Sequence, residues 1–140
     1  MDEQRILAKI DEMMTYLEEL ESIKPREIEE YTSSIKDKRA CERLLQMLIE
    51  TEIDICSMMV FSLKLGLPSD EEDLFSKLES KKVITKEMKN VLSDMKGMRN
   101  ILVHRYGEVK DEKVFEAVSE SLEDLEKFRE EVLKFIKSRK

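Results

Sequence analysis

Apolar residues recur at intervals of three and four along most of this chain, the spacing that lines one face of an α-helix. A first helix is predicted from about Asp2 to Ser22 on the run Ile6, Leu7, Ile10, Met13, Met14, Leu17 and Leu20, with Pro25 ending it. Arg26 to Ser34 is read as a short helix, with "TSS" as a break before the next element. That element, from about Ile35 to Leu65, is the longest and carries Cys41, Leu44, Leu45, Leu48, Ile49, Ile53, Cys56, Met59 and Val60 before Gly66 and Pro68 stop it. Its second half, "ICSMMVFSLKL", is apolar nearly all round, which predicts a central helix or one that meets a second subunit. Ser69 with Glu72 reads as a capping box for a short helix to about Lys81, and Thr85 as the N-cap of the next. This fifth helix carries Met88, Val91, Leu92, Met95 and Met98 and runs toward Gly107, a natural stop. Asp111 then caps a last helix bearing Val114, Phe115, Val118, Leu122, Leu125, Phe128, Val132 and Phe135.

The expected fold is therefore all-α, an up-and-down bundle of about five or six helices. Composition agrees: three Gly, two Pro and 41% charged residues suit helices, and the β-branched alternation of strands is absent. The 140 residues suffice for one domain with one core, spanning 1–140. The N-terminal charges do not resemble a signal peptide, and no run reaches the roughly 20 apolar residues that span a bilayer, so a cytoplasmic chain without membrane association is expected. Cys41 and Cys56 lie on one helical pattern about four turns, or roughly 22 Å, apart, too far to pair. Both read as core fillers. With one histidine and no Cys-x-x-Cys, neither a metal site nor a bound cofactor is expected.

The net charge of −7 argues against general nucleic-acid binding. Between Met95 and Lys113, however, five basic residues outnumber three acidic ones, leaving a local charge of +2 in a chain whose remainder is −9. The single histidine, His104, lies in this basic island within "GMRNILVHRYGE". On an ideal helix Asn100 and His104 stack, and Arg99 and Tyr106 fall about 20° apart, but Arg99 and His104 diverge by about 140°. Either the helix is distorted near its end, or a second copy completes the site.

Arg99 offers a planar cationic fork suited to phosphate, and His104 a proton-transfer group active near neutrality. Both suit cleavage of RNA, whose 2′-hydroxyl is an internal nucleophile, by imidazole acid–base chemistry with a guanidinium stabilising the developing charge and no metal. A helix C-terminus would favour protonated His104, whereas burial among Ile101, Leu102 and Val103 would oppose it. The bland alternative is a histidine that packs and an arginine that pairs with one of the 32 acids. Both readings stand on the residues alone.

"RNILVH" followed by "RY" resembles the R-x4-H-x-Y motif of the HEPN superfamily, in particular its HepT-like toxins, whose partners are MNT-type nucleotidyltransferase antitoxins of the MntA kind. Asn100 matches the polar residue that follows the arginine in HEPN proteins. "ACERLLQMLIETEIDICSMM" resembles the family's long helix, and "KGMRNILVHRYGEVKDEKVFEAV" its motif helix, turn and last helix, so that the likeness covers roughly Asp37 to Leu125. The resemblance implies a HEPN-type bundle that forms a homodimer, with Arg99 and His104 of both subunits lining one cleft. It implies a metal-independent endoribonuclease toxin in which Arg99 and His104 are catalytic, Asn100 supports them, and Tyr106 accepts AMP from an MntA-like nucleotidyltransferase. An attached AMP would bring negative charge and bulk over the cleft and exclude RNA. The acidic net charge fits this reading least well. It leaves open a non-catalytic helical subunit that presents Tyr106 or a nucleotide-binding groove to a nucleotidyltransferase.

Overall fold

A computed structural model describes residues 1–104 and 109–139, and all regular structure among them is α-helical. Six helices follow in order: α1 (Glu3–Ile23), α2 (Ile28–Ser33), α3 (Ile35–Ser62), α4 (Glu71–Ser80), α5 (Lys86–His104) and α6 (Asp111–Ser138). The apolar spacing therefore located each element. Among the described residues no helix is long and apolar enough to cross a membrane.

α3 touches each of the other five helices, as its broad apolar coat predicts. One stripe buries Cys41, Leu45, Leu48 and Ile49 in its first half and Ile53, Ile55, Cys56, Met59 and Val60 in its second. α1 packs along it through Ile6, Ile10, Met13, Leu17 and Leu20, while α6 packs against both α1 and α3 and buries Val114, Val118, Leu125, Phe128, Val132 and Ile136. Tyr31 of α2 is fully buried, its ring tilted against Phe115 of α6 at 5.7 Å between centroids. Both cysteines are free and buried, and desolvation raises the Cys41 thiol to about 11. They pack as small apolar groups, as expected.

Three local expectations change. α3 stops at Ser62, because Lys64 takes a left-handed conformation (φ 54°) and the Leu65 amide bonds back to the Val60 carbonyl at 3.1 Å. α4 is capped by Asp70 instead of Ser69: Asp70 accepts from the Asp73 amide at 2.7 Å, and Asp73 accepts from the Ser69 amide at 3.0 Å. The box has moved by one residue because aspartate serves equally at both of its positions, while Glu72 is drawn across to α5. α6 has Lys110 at its N-cap with no side-chain cap bond; Asp111 is its first residue and pairs with Lys38 of α3 at 3.1 Å. Thr85 does cap α5, accepting from the Met88 amide at 3.1 Å, and its own amide and hydroxyl are held by Glu131 of α6 at 2.7 and 3.2 Å.

Candidate active site

α5 carries Lys96 and Arg99 of the basic island, while Lys110 and Lys113 lie at the start of α6 and Arg105 falls outside the described residues. The buried positions of α5 are Met88, Leu92 and Leu102, with Met95 half-buried between them, so the core-facing register passes 88, 92, 95, 99 and 102. Arg99 thus occupies a core position, and its side chain is only 15% exposed. A guanidinium drawn that far from water needs a counter-charge and hydrogen-bond acceptors. Glu71, in the first turn of α4, supplies the charge, with its Oε1 2.5 Å from Arg99 Nη2. Asn100 supplies a second acceptor, its Oδ1 lying 2.9 Å from Arg99 Nε.

Next to this pair, Glu72 accepts hydrogen bonds from Lys96 Nζ at 2.8 Å and from the Ser93 hydroxyl at 2.7 Å. The Lys96 and Ser93 contacts hold the Glu72 carboxyl below its ordinary range. Two consecutive carboxylates at the start of α4 therefore grip two cations of α5.

His104 is the last residue of α5 and is exposed. Burial among its neighbours is not what the structure shows: Ile101 and Val103 are 39% and 43% exposed, and Leu102 alone is buried. The reason is register. Only Leu102 falls on the stripe facing α3, and His104 lies two residues, or about 200°, beyond it. α5 is α-helical through His104, so local distortion does not bring Arg99 and His104 onto one face. Gly97 and Ile101 share the outer face with His104, and a Cβ built on Gly97 would meet nothing within 4 Å. Tyr106 and the expected stop at Gly107 lie outside the described residues.

The structure brings together Arg99 and Asn100, places His104 one turn beyond Asn100 on a face away from Arg99, and adds Glu71, which sequence reasoning missed. A signal for it was present. A charged residue in the register of Met88, Leu92, Met95 and Leu102 calls for an acid on a facing helix, and the run Asp70–Asp73 offers four, of which only Glu72 is assigned above, as the partner of Ser69 in a cap. Among the described residues, no group of three or more His, Cys, Asp or Glu is arranged to hold a metal.

A match to the ribonuclease HepT-like family spans residues 13–132. The chain belongs to the HepT-like ribonuclease family. This HepT-like chain is 31% identical over 108 residues to a protein named tRNA nuclease HepT from Aphanizomenon flos-aquae, covering 77% of this chain and 74% of the relative. It is 37% identical over 84 residues to the mRNA nuclease HepT of Shewanella oneidensis, covering 60% of this chain and 63% of that one. Its fold matches a solved structure of the tri-AMPylated Shewanella oneidensis HEPN toxin in complex with MNT antitoxin, with a TM-score of 0.85 and 26% identity, over 92% of this chain and 96% of that one. The all-α HEPN reading of this HepT-like chain is thereby established.

Proposed function

We propose that this chain is the toxin of a HEPN/MNT toxin–antitoxin pair, a cytoplasmic, metal-independent endoribonuclease that works as a homodimer. The observation that carries the reading is the placement of Arg99 and His104 within one ribonuclease-family helix, the arginine in core register and the histidine on an exposed face at the helix end. Faces about 140° apart cannot serve one phosphate from a single α5, whereas α5 helices from two copies supply two of each group to a shared cleft. The bare position at Gly97, on the same face as His104, is consistent with close approach of a second chain.

In this cleft an imidazole takes the proton from a ribose 2′-hydroxyl, whose oxygen attacks the adjacent phosphorus. The P–O5′ bond breaks, an imidazolium returns a proton to the leaving 5′-oxygen, and a 2′,3′-cyclic phosphate remains. Arg99 stabilises the charge that builds on the non-bridging oxygens, and Asn100 holds Arg99 through Nε. Tyr106 is the acceptor of AMP from a cognate MntA-like nucleotidyltransferase, and the added phosphodiester competes with RNA for the cationic cleft.

The test is RNA cleavage by purified wild-type, Arg99→Ala and His104→Ala proteins in excess chelator. Wild-type cleavage that both substitutions lower by about a hundredfold or more supports the proposal. Equal cleavage by all three proteins overturns it.

The engagement of Arg99 by Glu71 also favours a second reading, a non-catalytic helical partner of a nucleotidyltransferase, because a paired arginine is less available to RNA. That reading predicts gain of AMP mass at Tyr106 on incubation with the nucleotidyltransferase and ATP, with no chelator-resistant RNA cleavage by the unmodified protein.

A further inference from the structure

Arg99 presents three nitrogens, and two of them are already committed. Nη2 donates to Glu71 of α4 at 2.5 Å, and Nε donates to Asn100 at 2.9 Å, whereas Nη1 makes no hydrogen bond among the described residues. We propose that Glu71 is a positioning residue for the ribonuclease reaction: with Asn100 it clamps the Nε and Nη2 sides of the Arg99 guanidinium and leaves Nη1 for the scissile phosphate. This role rests on the ribonuclease reading given above.

The alternative, that Glu71 competes with RNA for Arg99, fits the surroundings less well. A competitor has to leave, and Glu71 belongs to a helix start that is fixed in place. Its neighbour Glu72 is tied to α5 by Lys96 and Ser93, and Asp70 caps the same turn. The N-terminal end of α4 also favours a carboxylate at position 71 on its own account. Arg99, for its part, sits in the core register of α5 with its side chain mostly buried. A planar cation fixed at two nitrogens by two different helices is set before substrate arrives, which is the condition under which its charge contributes most to a transition state.

The experiment uses the full chain in wild-type, Glu71→Ala, Glu71→Gln and Glu79→Ala forms. Glu79→Ala removes a different α4–α5 ion pair, to Lys89 at 3.7 Å, without touching Arg99. Two readouts are taken: the rate at which phenylglyoxal modifies Arg99, followed by peptide mass spectrometry, and kcat and KM on RNA.

Glu71→Ala is expected to modify several-fold faster at Arg99 and to lower kcat on the order of tenfold to a hundredfold, with KM unchanged or lower because an anion near the substrate has gone. Glu71→Gln, whose amide oxygen still accepts from Nη2, recovers most of both effects, and Glu79→Ala matches wild type. The proposal is overturned if Glu71→Ala leaves kcat unchanged or raises it, or if Arg99 is no more reactive than in wild type. It is equally overturned if Glu79→Ala reproduces the losses, since α4 docking alone would then explain them. If wild type cleaves no RNA, the ribonuclease reading falls and with it the catalytic purpose of the clamp, while Arg99 reactivity still reports whether Glu71 holds the guanidinium.

Discussion

Arg99 and Glu52 are both ionisable side chains in core register, and the fold treats them in opposite ways. Arg99 receives an acid and an amide as partners. Glu52 is fully buried on the α3 stripe of Leu45, Ile49 and Cys56, and neither of its carboxyl oxygens has a hydrogen-bond partner among the described residues. Desolvation, followed by the charge of Asp124 on α6, pushes its pKa well above the ordinary 4.5. The native state therefore keeps a proton that the unfolded chain releases, and stability falls as pH rises above about 4.5. Glu52→Gln keeps the shape and removes the titration. Its melting temperature should match wild type near pH 4 and exceed it by a margin that widens toward pH 8, as thermal denaturation across that range would record. A constant offset would mean that Glu52 does not titrate on folding. Neither residue's environment was legible in full from sequence. Periodicity places both on core faces, but it does not say which distant acid meets Arg99, 28 positions from Glu71, or that Glu52 finds no hydrogen-bond donor among the described residues.

At the scale of elements, the periods of α1, α3 and α6 were readable because each repeats an apolar stripe over several turns, while the ends were less so. Helix ends depend on single side chains with rival partners: Glu72, expected in a cap, instead binds Lys96 and Ser93, and Asp111, expected as a cap, pairs with Lys38. The surroundings of His104 stayed open in the sequence for a related reason. Its apolar neighbours in sequence suggested burial, yet Ile101 and Val103 lie off the stripe and face outward. Gly97 makes the outer face of α5 testable. A glycine inside a helix costs about 1 kcal/mol relative to alanine, and the position is open within this chain. Gly97→Ala should thus raise the melting temperature of dilute, monomeric protein while weakening self-association measured by analytical ultracentrifugation. Unchanged association would remove this face of α5 from the proposed dimer contact.

For the whole molecule, the charge of −7 is not changed by internal pairing, because each acid that pairs neutralises one cation as well. Glu71 and Glu72 lie against Arg99 and Lys96, so these two cations of the basic island are held in place by acids of the same chain. α3 has a different whole-molecule consequence. Because it touches every other helix, no set of helices can detach from the bundle and leave α3 both exposed and otherwise native. Its central backbone amides should exchange with deuterated water only when the entire chain opens, so their protection reports the full unfolding free energy, while α2, with six residues, opens at lower cost. Hydrogen-exchange mass spectrometry would show this as one slow, jointly exchanging segment within 45–60, and a faster subpopulation there would mean that the bundle opens in parts. A chain built this way has one thermodynamic clock, and its slowest hand is the helix that carries none of the candidate chemistry.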